Sequence, residues 1–157
     1  MSALITDDIA EFRAALPAMS ALAGLDFGDK TIGIAISDRL WSVATPTATI
    51  RRKKFGVDAA ALLEVLGGRE VSGIVLGLPR NMDGSEGPRC QKTRAFARNL
   101  GNLTELPITF WDERLSTVSA ERAMLEADMS RAKRAEKIDQ VAASVILQGA
   151  LDRMGNL

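Results

Sequence analysis

The sequence has no histidine and no tyrosine, and it contains a single cysteine, Cys90. Without histidine, the chain cannot form a Ser-His-Asp triad, a Cys-His nucleophile or a histidine-ligated zinc site. One cysteine cannot form a disulfide within the chain or a cysteine-rich zinc site, and it has no imidazole to activate it as a nucleophile. Low cysteine content is typical of the reducing cytoplasm, where we expect this protein to act.

Long apolar runs and an overall charge are also missing. No apolar stretch approaches the ~20 residues of a membrane span, and the first residues lack the pattern of a signal peptide. The 20 basic and 20 acidic residues cancel, so no net charge attracts the chain to nucleic acid or membrane. Basic residues cluster locally at 51–54 and 131–137, either as solvated surface or as phosphate contacts. We expect no membrane partner.

The order of apolar patterns predicts one α/β domain in the 157 residues. An antiparallel unit of three strands is followed by alternating strands and helices. Strands are predicted at 21–26, 31–37, 43–51, 73–78 and 107–111. Helices are predicted at 57–66, 90–103, from 116 to about 126, and 138–151, with a mobile polar stretch at 129–136. Residues 1–20 are predicted to be an N-terminal extension with a short amphipathic helix, and 21–157 the domain.

Acidic residues interrupt or end three of the apolar runs: Asp26, the pair Asp112 and Glu113, and Asp139. An unpaired carboxylate in such a place costs several kcal/mol, and no matching set of buried bases is evident. Asp26 ends the first strand, and the pair ends the last. Ligands bind outside the carboxyl ends of parallel strands, so these acids meet if the two strands are neighbours.

Asp139 shares the apolar face of the last predicted helix with Ala142 and Ala143, whose small side chains would let the helix approach the sheet. Carboxylate oxygens suit Mg²⁺ or Mn²⁺. Two such ions about 3.5–4 Å apart can activate water and stabilise a leaving oxygen without histidine. The acids therefore point to a metal site, and we expect it to hold two ions.

Each acid also has a simpler explanation. Asp26 could be a turn residue, Asp112 could pair with Arg114, and Asp139 could be an acid favoured by the dipole at a helix N-terminus. Because all three acids are predicted to converge, we favour the metal site.

Four segments together form a specific set: D-F-G-D-K-T-I-G-I-A-I-S-D, G-L-P-R-N-M-D-G-S-E-G-P, D-E-R-L-S-T and K-I-D-Q-V-A-A. In this order they resemble the YqgF/RuvX family of bacterial proteins, proposed as Holliday junction resolvases and as nucleases that mature the 5′ end of pre-16S ribosomal RNA. The resemblance spans roughly residues 22–151. It implies an RNase H-like fold, with a five-stranded mixed sheet flanked by helices on both sides, and a metal-dependent phosphodiesterase site.

Carried over by motif, the catalytic metal ligands are Asp26, Glu113 and Asp139. Asp112 and Glu113 should face opposite sides of their strand, so only one of them faces the metal directly; the resemblance favours Glu113 over Asp112, and the other acid would orient a ligand without touching the metal. The family's turn commonly has a small hydroxyl residue where this chain has Asp29, which places another negative charge beside the proposed site.

Four further residues are candidate substrate contacts. Lys30 follows the D-x-G turn and would contact a phosphate, or it is a solvated lysine. Arg114 would hold a phosphate, or it neutralises Asp112. Asn81 and Ser85 lie in a loop after a strand end, where substrate contacts are common, or they only form its turn.

The leading functional prediction is a nuclease that uses Mg²⁺ or Mn²⁺ on nucleic acid, RNA rather than DNA, as a monomer or weak dimer and with ribosomal precursor particles as partners. One alternative is junction DNA cleavage by the same site. The other is a nucleic-acid or ribosome-binding protein with weak catalysis.

Overall fold

The computed structural model describes residues 2–115 and 131–157. They form a six-stranded sheet with helices packed on both faces. The strands are β1 (Ile5–Thr6), β2 (Ala21–Phe27), β3 (Thr31–Ser37), β4 (Ala44–Arg51), β5 (Val71–Leu78) and β6 (Ile108–Asp112). The helices are α1 (Ile9–Ala14), α2 (Phe55–Gly68), α3 (Pro88–Gly101) and α4 (Arg131–Gly155).

The strand order is β1-β6-β5-β2-β3-β4. The β2–β3 and β3–β4 pairs are antiparallel, whereas β2–β5, β5–β6 and β1–β6 are parallel. The prediction of five strands is one short, because β1 adds a sixth strand when Ile5 pairs with Ile108. A strand of two residues is too short to show the alternation on which strand prediction depends. β4 forms the other edge, where Pro46 is tolerated as expected.

Two apolar layers lie on opposite sides of this sheet. The layer under α2 and α3 contains Leu25, Leu62 and Phe96, and the layer under α4 contains Leu22 and Leu147. Leu22 and Leu25 belong to the same strand, whose successive side chains alternate between the two faces. Since both faces are covered by helices, the central strands are apolar throughout, and a polar residue among them stands out.

The last helix begins earlier than its apolar pattern predicts. α4 starts at Arg131 rather than at 138, so residues 131–136, which we expected to be mobile, are helical. That segment is polar, but Arg, Ala, Lys and Glu are all good helix formers. Asp139 lies eight residues after Arg131, and the alternative that it is a helix N-terminal acid is therefore wrong. The helix predicted from 116 to about 126 lies outside the described residues.

Although α4 has 25 residues, its sequence is too polar to cross a bilayer, and no other helix in the described part of the chain meets the length and apolarity of a membrane span.

Candidate active site at the carboxyl ends of the strands

Asp26 lies near the carboxyl end of β2 with 8% of its surface exposed. It pairs directly with Gly33 of β3. The parallel register that joins Leu25 to Leu76, continued by one residue, places Gly77 of β5 on its other side. Gly24, two residues before Asp26, packs against Leu147 of α4, so the Asp26 side chain also faces α4. Two residues without side chains thus flank the carboxylate on this face.

Asp139 lies on the β3 side of Asp26. Its backbone is so close to Gly33 that a side chain at that position would overlap the Asp139 carbonyl group. The Thr31 hydroxyl donates a hydrogen bond to Asp139 Oδ2 at 2.6 Å. Ala142 and Ala143 are fully or almost fully buried, as expected for a helix that closely approaches the sheet. The close approach needs glycine on the sheet as well as alanine on the helix.

Glu113 lies on the β5 side of Asp26. It begins a 3-10 turn, Glu113–Leu115, directly after β6. The condition under which the strand-end acids would meet directly, that the first and last strands are neighbours, does not hold, because β5 separates β2 from β6. Gly77 of β5 leaves room for the Glu113 side chain to extend across β5. The Glu113 carboxyl carbon lies 3.3 Å from the position that a Cβ at Gly77 would occupy. Glu113 therefore reaches over β5 on the face that carries Asp26.

Asp112 faces the other way. Trp111 packs against Gly149 of α4, so the next residue along the strand points to the opposite face. The Arg114 guanidinium donates hydrogen bonds to both carboxylate oxygens of Asp112, with Nη2 2.7 Å from Oδ2 and Nε 3.1 Å from each oxygen. This hydrogen bonding lowers the pKa of Asp112 and raises the pKa of Arg114. The geometry agrees with Glu113 as the acid that faces the site, and with Arg114 as the partner of Asp112.

Three carboxylates share the α4 face at the strand ends, and oxygen ligands of this kind suit Mg²⁺ or Mn²⁺. Within residues 2–115 and 131–157, however, no three acidic or cysteine side chains stand close enough together to hold a metal ion. The donor type and the shared face fit a hard divalent cation, whereas the side-chain positions as they stand do not form a closed three-ligand site.

The loop between β5 and α3 is held by its own side chains. Asn81 Nδ2 donates to Ser85 Oγ at 3.0 Å, and Ser85 Oγ donates to Asp83 Oδ1 at 2.6 Å. The bond from Ser85 lowers the pKa of Asp83. Arg114 Nη1 donates to the Met82 carbonyl at 3.3 Å and so joins the loop to the end of β6. Asn81 and Ser85 form the turn as the simpler alternative states, and substrate contact by them stays a prediction.

Lys30 is exposed in the turn between β2 and β3. Its carbonyl accepts a hydrogen bond from the Arg52 backbone N–H at 2.8 Å, which brings the basic segment 51–54 to the same end of the sheet as the acids. Arg52 also donates to the Gly28 carbonyl at 2.6 Å and lies 4.3 Å from the centre of the Phe27 ring. Sequence reasoning missed this role of Arg52, because a run of four basic residues does not show which one turns inward.

Comparison with known families decides the membership of the chain. A family model described as "RuvX: Holliday junction resolvase" matches residues 20–153. This chain belongs to the RuvX family. The prediction of the YqgF/RuvX family is therefore confirmed.

Named relatives match along almost the whole chain. The protein from Ruegeria pomeroyi is 71% identical over 98% of this chain and 100% of its own length, and that from Rhodobacter capsulatus is 65% identical over 98% and 97%. Both carry the name "Putative pre-16S rRNA nuclease". The family description and these names agree with a nuclease.

A solved structure with the same fold is Thermus thermophilus RuvC in complex with a Holliday junction substrate. It is 18% identical, covers 87% of this chain and 96% of its own, and has a TM-score of 0.53. RuvC without the junction gives a TM-score of 0.52. The predicted RNase H-like fold is confirmed, with six strands instead of five.

Proposed function

We propose that this protein is a metal-dependent nuclease that processes the 5′ end of pre-16S ribosomal RNA in the cytoplasm. Membership of the RuvX family supports nuclease chemistry, and the names of relatives 65–71% identical to the chain support the ribosomal RNA substrate. In this role the protein would meet ribosomal precursor particles.

The observation that carries the proposal is the row Gly33, Asp26 and Gly77 across three strands, with Asp139 against one glycine and Glu113 against the other. Strands lie about 4.8 Å apart, so this row supports a site in which Asp26 lies between Asp139 and Glu113 on the α4 face, although the three side chains as they stand in the described residues do not form a closed cluster. Asp26, Glu113 and Asp139 would hold one or two Mg²⁺ or Mn²⁺ ions. When bound, such ions supply an activated water and neutralise the leaving oxygen of a phosphodiester.

The chain's own residues would place the ligands and the substrate. The Thr31 hydroxyl fixes the Asp139 carboxylate, and Asp112 acts at a distance by fixing Arg114. Lys30 lies in the exposed turn after β2, close to Asp26, where its ammonium group would contact a phosphate of the RNA substrate. Arg114, Asn81 and Ser85 would contact the same RNA on the side of β5 and β6.

Junction DNA is a second candidate substrate. The description of the matching family favours it. Junction cleavage ordinarily needs a dimer that makes paired cuts, whereas we propose a monomer or weak dimer. A binding protein with weak catalysis is the remaining candidate, and the lack of a closed three-acid cluster in the described part of the chain favours it.

The test is incubation of the purified protein, with Mg²⁺ or Mn²⁺, with a 5′-extended ribosomal RNA precursor and with a four-way DNA junction. Asp26→Asn and Asp139→Asn run alongside, and a chelator arm removes the metal. We expect cleavage of the RNA that disappears in both variants and with the chelator. Cleavage that persists in the variants would refute the site, and binding without cleavage would favour the binding protein.

A further inference from the structure

A cleft of about 310 Å³ lies beside the candidate active site, at the carboxyl ends of β1, β5 and β6. Its volume is at the lower end of the range for small-molecule sites. Apolar side chains form much of its wall, and two arginines lie at its border; the residues that matter here are Ile9, Phe110, Trp111, Leu115, Arg80 and Arg153. Asp7 and Ile9 of the N-terminal segment, which follow β1, contribute one side of the cleft.

The acidic residues of this lining are neutralised by other arginines. Asp7 pairs with Arg94 at 3.1 Å, and Asp112 pairs with Arg114 at 2.7 Å. Asp112 interacts mainly with Arg114 and more weakly with the charge of Arg80, whereas neither carboxylate pairs with Arg153. The cleft offers two guanidinium groups to an anion, next to an apolar wall.

Two buried side-chain donors in the described part of the chain have no acceptor, Arg80 Nε and Trp111 Nε1. Both residues line this one cleft. A buried donor without a partner costs about 1–3 kcal/mol, so a small movement of Arg80 that gave Nε an acceptor oxygen in the cleft would be favourable. Trp111 Nε1 lies against Gly149 of α4, so it is the ring of Trp111, and not this donor, that the cleft offers to a ligand. Arg80 does pair with Glu86, but at 3.4 Å, while Glu86 is held more tightly by Arg94 at 2.6 Å.

We propose that this cleft binds one nucleotide of a single RNA strand, adjacent to the phosphodiester that is cleaved. Arg80 and Arg153 contact its phosphate, and its base lies against Trp111 and Leu115. Every base has a π face, so the subsite accepts any base. The proposal rests on the proposed function, because the cleft residues Asp112 and Leu115 flank Glu113 at the end of β6, so an RNA strand bound in the cleft would pass next to that acid.

The first test measures binding without cleavage. In the Asp26→Asn background, fluorescence anisotropy follows a labelled single-stranded RNA across a series of salt concentrations. Arg153→Gln is expected to weaken binding roughly tenfold and to lower the salt slope by about one. Arg39→Gln is the matched control, because Arg39 is an exposed arginine that pairs with Glu70 at the other end of the strands, and it should bind as the parent does. Equal binding by both variants overturns the proposal.

The second test uses tryptophan fluorescence. The chain has two tryptophans, so Trp41→Phe leaves Trp111 as the reporter. Saturating single-stranded RNA is expected to change the Trp111 emission, and Arg153→Gln should need roughly ten times more RNA for the same change. An emission that stays constant at saturation overturns the proposal. So does an equal response to a free nucleoside monophosphate at the same concentration, which would indicate a mononucleotide site.

These tests separate the cleft from the nuclease proposal. If Arg153→Gln loses RNA affinity while the unsubstituted protein cleaves no substrate, the nucleotide site in the cleft is supported and the nuclease function is refuted. If the unsubstituted protein cleaves RNA while Arg153→Gln leaves binding and emission unchanged, the nucleotide site is refuted and the nuclease function stands.

Discussion

The two faces of the sheet are packed in different ways. Under α2 and α3, large side chains such as Leu25, Leu62 and Phe96 fill the space between helix and strand. Under α4, Gly24 and Gly33 bring helix and sheet backbones almost into contact, and the acids follow at the strand ends. The first face stabilises the fold by burying apolar area, whereas the second uses small residues to fix the position of Asp139.

This difference separates stability from function. A buried leucine contributes about 1.5–3 kcal/mol to folding through the area that it removes from water. A carboxylate such as Asp26, 8% exposed, opposes folding unless its other contacts offset the desolvation. Substitutions on the α2/α3 face should therefore change the free energy of unfolding, and those at the acid end of the α4 face should change cleavage.

The largest expected effect is on cleavage in Asp26→Asn. Loss of a metal ligand removes several kcal/mol of transition-state stabilisation, so the rate of RNA cleavage should fall roughly 10³-fold. The free energy of unfolding should change less than in a core truncation, because asparagine keeps the volume of the side chain and no cavity forms. Single-turnover cleavage and urea unfolding measure the two quantities. A variant that cleaves like the parent would contradict the comparison of the two faces.

Leu62→Ala should show the opposite behaviour. Leu62 lies on α2 and is fully buried in the apolar layer between this helix and the sheet, so its truncation should cost roughly 2–5 kcal/mol of stability. Cleavage per folded molecule should not change, since the residue lies on the face away from the acids. Urea unfolding combined with cleavage at a temperature where the variant is folded makes the measurement. A tenfold loss of activity in the folded variant would show that the faces are coupled.

Gly33→Ala should affect both quantities. The added methyl overlaps the Asp139 backbone, so α4 must shift, at a cost of about 1–3 kcal/mol. Cleavage should fall with it, because Asp139 moves away from Asp26. Gly56→Ala is the control: nothing lies within 4 Å of its added methyl, and alanine in a helix should stabilise the protein by up to about 1 kcal/mol. Equal stability of the two variants would argue against the close approach.

Thr31→Val tests the hydrogen bond to Asp139. Removal of the hydroxyl should lower cleavage about 10- to 100-fold, the usual cost of losing a group that orients a metal ligand. Thr93→Val is the matched change in α3, where the hydroxyl donates to the Arg89 carbonyl at 3.0 Å. It should alter stability by about 1 kcal/mol and leave cleavage intact. The rate of RNA cleavage is measured in both variants. A similar loss of rate in the two would show that the Thr31 hydroxyl has no specific role in cleavage.

The smallest effect concerns the pair Asp112 and Arg114. The hydrogen bonds from Arg114 hold the pKa of Asp112 below its ordinary value, so the pair stabilises the folded state above about pH 4. This contribution is lost as the pH falls further, towards the lowered pKa. In urea unfolding, the free energy of unfolding of Asp112→Asn should be lower than that of the unsubstituted protein by up to about 1 kcal/mol at pH 7, and the difference should be smaller at pH 3. A deficit that is independent of pH would show that the ion pair contributes nothing.

Much of the fold could be predicted from the sequence. The antiparallel unit of three strands and the strands and helices that follow it depend on local pattern. In the described part of the chain their predicted bounds agree with the structure to within a few residues, except at the start of the last helix. The acids could be found because Asp26 and Asp139 occur among apolar neighbours, where a charge is costly.

The remaining features depend on distant contacts. A glycine inside a strand indicates that another group approaches the backbone closely, but it does not show which group. That α4 lies against Gly33 and Glu113 against Gly77 could be seen only in the structure. The pairing of Ile5 with Ile108 joins residues 103 positions apart, and a two-residue strand has no pattern of its own. Thr31 gave no indication of its role, since its partner Asp139 is 108 positions away.

The most direct test of the central claim is metal binding by the three acids, measured without catalysis. Isothermal titration calorimetry with Mn²⁺ would compare the parent with Asp26→Asn, Glu113→Gln, Asp139→Asn and Asp112→Asn. We predict that each of the first three weakens Mn²⁺ binding at least about tenfold, while Asp112→Asn changes it little. Unchanged binding in Asp26→Asn, or a larger loss in Asp112→Asn than in Glu113→Gln, would contradict the account.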